Sequence, residues 1–292
     1  MLQKKEADVN SMDKKQVEYA RHDPALALVS LFRPLYDTKD RPGGLSIETH
    51  HDGLHLKFAI WQALDARDQL VLLTAIGFAG ISGQELYADT PNGKGQQLWQ
   101  NLEPSHQAED DRAIVITTSR YRMLKAIGEG KGGKNYDSLE DCLERLSNVG
   151  CRARKEGYDW SMRLLSYSLS PDETLHIALN SRFAAALTGH YVHVSLHERQ
   201  KLSKDPAKLA HAWLSAWLRP GRTQRISLDK LSEKVWGEAT GNTDSAIRKR
   251  RQRIKEAIDE INGLNGWRIE VEGKGKRAIA QVFRPNVIEQ KA

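Results

Sequence analysis

Between Asn242 and Leu264 the chain reads NTDSAIRKRRQRIKEAIDEINGL, with five cations among the six residues from Arg248 to Arg253. Through the same stretch Ile247, Ile254, Ile258 and Ile261 recur at helical spacing, so a basic helix with one core-facing side is expected. Such a segment can be neither wholly buried nor wholly solvated. A helix that packs one face on a domain and lays the other in the major groove of DNA has this form, because phosphates and base edges take Arg, Lys and Gln.

Stepping 100° per residue from Ile247 places Ser245, Lys249, Gln252 and Glu256 almost opposite the stripe, with Arg248 and Arg253 on its shoulders. Arg248, Lys249 and Gln252 are therefore the base-reading candidates. Arg or Lys pairs with guanine O6 and N7, and Gln with adenine N6 and N7, each good bidentate contact discriminating by about 1–3 kcal/mol. Arg250 and Arg251 flank the stripe and suit phosphates on the groove walls, and Lys255 completes the basic set. Asn242 or Thr243 caps the helix, leaving free amides for a further phosphate.

The charge distribution supports a localised polyanion footprint. From Arg219 to Arg284 there are 16 Lys and Arg against 9 Asp and Glu, while the remainder carries 28 against 29. All of the net charge of +6 is thus owed to the C-terminal region. At 292 residues and 39% hydrophobic content, two domains with cores of their own are expected. No stretch has the apolar length to span a bilayer, and the polar N-terminus lacks a secretory signal, so a cytoplasmic protein is expected. Cys142 and Cys151 are too few for a finger-type zinc site and read as ordinary thiols, Cys142 in a helix core.

Residues 1–20 lack apolar periodicity and read as a mobile tail. Beyond them, Leu45 to Ile60 alternates around His-Asp-Gly as a hairpin would, and DARDQLVLLTAIGFAG reads as a buried helix with an Asp cap. A polar loop is expected up to about Gln107, then the strand AIVITT, the helix SRYRMLKAIG ended by Gly128, and an amphipathic helix burying Leu139, Cys142, Leu143 and Leu146. Cys151–Glu156 and Trp160–Ser168 then read as two strands about Gly157. Helix, turn, helix and two-stranded wing is the order of a winged helix domain.

A shift to Ser-Pro-Asp-Glu composition near Leu169–Thr174 sets the expected boundary, dividing a first winged helix domain (21–170) from a second (171–292). The second half gives a strand at TLHIALN, a helix at SRFAAALTG, a strand at YVHVSL, a helix carrying Trp213 and Trp217, the RISLDKLSEKVWG strand and helix, the basic helix, and a hairpin turning at Gly273–Gly275. The fold class expected is α+β, with two tandem winged helix domains. At the tip of the last hairpin Lys274, Lys276 and Arg277 would reach adjacent backbone. Helix and wing together offer on the order of eight phosphate contacts, so affinity should fall by several decades with salt.

In the first domain the corresponding helix carries Glu140, Asp141 and Glu144 and suits groove insertion poorly. Phosphate contacts there are expected from Ser119, Arg120 and Arg122, from the loop lysines Lys131 and Lys134, and from Arg152, Arg154 and Lys155 in the wing. A dimer interface is an equally fair reading of this domain.

GEGKGGKN (Gly128–Asn135) nearly spells a P-loop, but Asn135 stands where Ser or Thr should hold magnesium, and a helix rather than a strand precedes it. His50 and His51 invite comparison with the metal pair of a rolling-circle nickase, with Tyr158 as nucleophile. Adjacent strand residues face opposite ways, however, and a surface hairpin is preferred. No residue set commits to catalysis, and no cofactor or metal is expected.

The sequence resembles the RepC iteron-binding replication initiators of IncQ-type broad-host-range plasmids. The resemblance covers nearly everything after the tail and is carried by RHDPA (Arg21–Ala25), LFR (Leu31–Arg33), DCLERL (Asp141–Leu146), RLLS (Arg163–Ser166), ALN (Ala178–Asn180) and above all IRKRRQRIKEA (Ile247–Ala257). It implies two winged helix domains, binding to iteron repeats of a plasmid origin, melting of a neighbouring A·T-rich segment, and loading of a plasmid-encoded helicase alongside the plasmid primase. A non-enzymatic initiator is therefore expected, with self-association through the first domain. A winged helix transcriptional repressor and a rolling-circle nickase are the alternatives.

Overall fold

The apolar run in ARDQLVLLTAIGFAGIS has no polar face, so it can be helical only inside a core. It forms α2 (Ala66–Ser82), whose Asp65 cap accepts hydrogen bonds from the Arg67 and Asp68 amides while Asp68 accepts from the Asp65 amide in return. The computed structural model describes residues 17–91, 93–238 and 243–286, and around this helix the first two-thirds of the chain assembles.

Strands β2 (Gly43–His51) and β3 (Leu54–Gln62) form the expected hairpin, turned through Asp52 and Gly53 at φ 47° and 76°. Further strands are β4 (Gln84–Leu86), β5 (Ser105–His106), β6 (Ala113–Ser119), β7 (Val149–Lys155), β8 (Tyr158–Arg163), β9 (Leu165–Leu169) and β10 (Thr174–Leu179). They make two sheets, ordered β2-β3-β7-β8-β5 and β4-β6-β10-β9. The helices α3 (Lys94–Asn101), α4 (Arg120–Ala126), α5 (Gly133–Ser147) and α6 (Ser181–Thr188) pack with α2 on these sheets, whereas α1 (Pro24–Leu28) packs against the later helix Asp205–Trp217. The amphipathic stripe of α5 is buried as its spacing requires, at Leu139, Cys142, Leu143 and Leu146. Both cysteines are buried and unpaired, and burial pushes the Cys151 thiol up to about 12.

Three expectations need correction here. The tail reading fails for its last residues: Val17 and Ala20 are buried, and β1 (Tyr19–His22) pairs antiparallel with β11 (Val192–Ser195). Val17 fills a notch in α2 that only glycine leaves open, since a Cβ at Gly77 would lie 2.1 Å from Val17 Cγ1. Residues 1–16 lie outside the described residues. The polar loop before Gln107 contains α3, held because Leu98, Trp99 and Leu102 are buried and Ser166 Oγ donates to the Leu98 carbonyl. The division at 170/171 falls on the turn of the β9–β10 hairpin, and β10 also pairs with β6, so the sheet continues across it.

The chain changes character at Leu202–Lys204 instead. After it come α8 (Asp205–Trp217), β12 (Thr223–Ser227), α9 (Leu228–Trp236), α10 (Asp244–Asn262), β13 (Arg268–Glu272) and β14 (Ile279–Phe283), with the last three strands ordered β12-β14-β13. The fold is thus α+β, a C-terminal helix-and-hairpin unit following a larger unit of two sheets and the β1–β11 pair. One hydrophobic cluster runs through both.

Buried polar contacts lock the junction, where α7 (Leu196–Gln200) lies against both units. Arg284, which follows β14, donates to the carbonyls of Ser215, Leu218 and His193. Burial pushes its pKa down to about 10, yet it satisfies α8 carbonyls that would otherwise end unpaired. Arg199 of α7 donates to the Ala66 carbonyl (2.5 Å), and Trp213 of α8 donates to the Leu28 carbonyl (3.2 Å). Glu198 lies 2.8 Å from His211 Nε2 and accepts from Trp267 Nε1.

Candidate nucleic-acid interface

Helix α10 forms with the register its sequence implies. Thr243 caps it, Oγ1 accepting from the Ala246 amide at 3.2 Å, while Asn242 lies outside the described residues. Ile254, Ala257, Ile258 and Ile261 are buried, and Ile247 at the N-terminal end is half-buried. Ser245, Arg248, Lys249 and Gln252 are exposed on the other side, as the 100° projection requires.

The helix divides along its length. From Ser245 to Lys255 it holds six cations and no carboxylate. Its C-terminal acids are already occupied: Glu260 accepts from the Ser203 and Lys204 amides, and Glu256 pairs with Lys204 Nζ at 3.0 Å and takes a 3.4 Å contact from Gln252 Nε2. The N-terminal half is thus left with an electropositive face. In the same unit, the β13–β14 turn exposes Lys274, Lys276 and Arg277 around a short 3-10 segment (Gly275–Arg277). Gly273 fits this turn at φ 78° because any Cβ there would lie 2.8 Å from the Arg277 carbonyl oxygen.

Not every cation of the helix faces outward. Arg251 makes a bidentate pair with Asp229 in the first turn of α9, at 2.5 and 2.7 Å, so it ties two helices together instead of standing clear for phosphate. Arg250 is half-buried with its guanidinium 6.0 Å from the Trp236 ring. Arg253 lies over Tyr36 at 4.4 Å, a residue of the first unit that is 78% exposed. Lys255 is half-exposed on the α9 side. The contribution of residues 33–36 to this surface was not read from the sequence, which gives no local signal for a contact more than 200 positions away.

The first unit presents a different picture. Ser119 is the cap of α4, its hydroxyl accepting from the Arg122 amide. Arg120 is held by Glu140 and Glu173 and stacks 4.8 Å over Tyr136. Arg122 lies over the Phe78 ring. Arg152 pairs bidentately with Asp159 (3.0 and 2.6 Å), with Arg154 3.3 Å away, and the Arg152 hydrogen bonds hold the Asp159 carboxyl down at about 2. Lys131 sits over Tyr121, and Lys134 and Lys155 are exposed. Of the eight residues expected to touch phosphate here, Ser119, Arg120, Arg152 and Arg154 are engaged by hydrogen bonds or ion pairs within the protein, and Arg122 lies on Phe78. The strands expected to form a wing are interior to the five-stranded sheet, because β3 and β5 cover the outer edges of β7 and β8.

The near P-loop is a turn after α4 that runs into the first turn of α5, where Asn135 Nδ2 donates back to the Gly130 carbonyl. His50 is exposed and stacks on His55, while His51 points to the other face of β2. Among the described residues no group of three or more His, Cys, Asp or Glu is placed to hold a metal ion, and no helix is long and apolar enough to cross a membrane.

An exposed cationic helix face and a cationic hairpin tip in the same unit are the surfaces a nucleic-acid-binding protein offers to a phosphate backbone. The particular family is given by sequence: the profile of replication protein C (RepC) matches residues 14–285, and the chain belongs to that family of replication proteins. Among solved structures, a crystal structure of selenomethionine derivatives of domains 2 and 3 of RctB is similar at 12% identity and a TM-score of 0.49, covering 92% of this chain and 100% of that one. A second crystal structure of RctB domains 2–3 gives 10% identity and 0.47, covering 89% and 96%. No curated protein matches the sequence.

Proposed function

We propose that this protein is a non-enzymatic replication initiator that binds iteron repeats at a plasmid origin through α10 and the β13–β14 hairpin. The observation that carries this reading is the carboxylate-free run from Ser245 to Lys255 with Arg248, Lys249 and Gln252 exposed. In this reading α8, β12, α9, α10 and the hairpin are a winged helix, α9 and α10 being its helix-turn-helix. Helices α4 and α5 with β7 and β8 are a second winged helix whose wing has been absorbed into a sheet. The two units, near 17–200 and 205–286, replace the division at 170/171.

Bound at its repeats, the protein promotes melting of the adjacent A·T-rich segment and recruits the plasmid helicase, with the primase acting downstream. These steps rest on family membership. The first unit adds backbone contacts or a self-association surface, and the protein acts in the cytoplasm where the plasmid resides.

The test has two parts. The full chain is titrated against an origin-repeat duplex and a scrambled duplex at fixed salt, and supplied in trans to a plasmid carrying the origin alone. Preference for the repeat together with replication supports the reading. Binding without replication leaves a repressor, and equal affinity for both duplexes overturns base reading by α10.

A further inference from the structure

Most buried or half-buried arginines of this chain have an evident partner. Arg284 has three carbonyls, Arg199 the Ala66 carbonyl and Gln69, Arg41 and Arg145 the carboxylates of Asp65 and Asp68, and Arg67 the carboxylate of Glu129. Arg33 is different. It follows the parallel bridge of Phe32 to Leu64, its backbone amide is fixed to the Leu64 carbonyl at 2.9 Å, and its half-buried side chain has a buried Nε with no hydrogen-bond partner. Its guanidinium lies in the field of another arginine, Arg250 of α10; burial first, and that like charge second, lower the Arg33 pKa.

Two half-buried guanidiniums, the one in the field of the other and neither in an ion pair among the described residues, are unfavourable in the protein alone, since a buried charge needs a partner. Arg253 adds a third, stacked on Tyr36 three residues beyond Arg33. Glu256, within the field of Arg253, is bound to Lys204. What the cluster lacks is an anion with several oxygens, and the guanidinium fork matches a phosphate.

We propose that Arg33, Arg250 and Arg253 form a clamp for one backbone phosphate of the DNA strand that borders α10, with Tyr36 as a positioning residue for Arg253. The first unit thereby grips the same duplex that the second unit reads. This rests on the reading of α10 as a DNA-contacting helix. Because Arg33 sits on the other unit, the clamp engages only when both are held in their observed arrangement.

The test uses the full chain with Arg33→Met and, since Tyr36 is exposed and its loss should not disturb folding, Tyr36→Ala. For Arg33→Met, affinity should fall about tenfold for repeat and unrelated duplex alike. The slope of log affinity against log salt should flatten by about one. Tyr36→Ala should weaken both duplexes by about threefold, consistent with the loss of a stacked cation. Thermal unfolding without DNA supplies the second readout: Arg33→Met should be at least as stable as the parent, and inorganic phosphate should raise the parent's Tm more than the variant's. Unchanged affinity and slope in Arg33→Met overturn the clamp, as does a large drop in its Tm, which would make Arg33 a structural prop. A phosphate-dependent Tm difference without any loss of DNA affinity would mean a free-anion site and would also overturn it. Failure of base reading is a separate result, seen in Arg248→Ala/Gln252→Ala with Arg33 intact.

Discussion

Helices α5 and α10 occupy the same place in the same element order, each preceded by a shorter helix and followed by a hairpin, yet their surfaces have opposite characters. On α5 the acids Asp137, Glu140, Asp141 and Glu144 lie exposed or half-exposed, and the neighbouring arginines are drawn into the protein, Arg120 to Glu140 and Glu173, Arg145 to Asp68. On α10 Glu256 and Glu260 at the C-terminal end are engaged by residues 203–204, Asp244 stands at the N-terminus, and the stretch between, Ser245 to Lys255, carries no acid of its own. The difference lies in where the counter-charges are, since both regions contain cations. Near α5 arginine holds the protein together, as Arg251 does in the second unit; Arg248, by contrast, is exposed.

The sharpest way to break this comparison is to remove a counter-charge from the first unit. Asp68 is fully buried and accepts from Arg145 and Arg41, so Asp68→Ala leaves two guanidiniums short of a partner. A loss of about 3–5 kcal/mol is expected in urea unfolding. Arg248→Ala should change stability by no more than about 0.5 kcal/mol, as exposed substitutions do. Equal effects would erase the distinction between structural and available cations.

Next in size is specificity. Arg248→Ala with Gln252→Ala should lose about 1–3 kcal/mol of discrimination per contact, seen as convergence of the repeat and scrambled binding curves. Lys276→Ala at the hairpin tip should act differently, weakening all DNA alike and reducing the salt slope by about one. If Lys276 proves to govern sequence preference, the hairpin rather than α10 reads bases.

The smallest effect concerns Asp159. Its pKa, about 2, is set first by the Arg152 hydrogen bonds, and the pairing is complete above the ordinary carboxylate range and lost as pH falls through about 2. In Arg152→Ala the Asp159 resonance should titrate nearer the ordinary value by NMR, with DNA affinity unchanged. A marked loss of affinity would return Arg152 to the phosphate-contacting set.

What the sequence made legible was local. The register of α10 follows from isoleucines within fifteen positions of one another, and the Asp65 cap and the turn at Gly53 are equally short-range signals. Hidden features depend on distant partners. The boundary at 170/171 was misplaced because the pairing of β6 with β10 joins Ile114 to Leu179, which no composition shift reveals. Helix α3 escaped notice because only Leu98 and Trp99 among its residues are buried, within a polar stretch. For the site, charge and exposure on α10 were readable, whereas Asp229, Asp159 and Glu173 as captors of arginine were not. A sequence shows which cations exist; only the fold shows which are already occupied.

The pairing of β1 with β11 has a consequence for how the chain is made. Tyr19 meets Ser195, so β1 must wait until nearly all of the first unit has been made before its partner appears. Long-range pairing of this kind slows folding and leaves hydrophobic surface open in the interval. Until β11 arrives, Val17 has no settled place against Gly77, and the central helix stays uncovered on that side. The first unit therefore closes only shortly before α10 is synthesised, and the two halves of the DNA-facing surface mature nearly together.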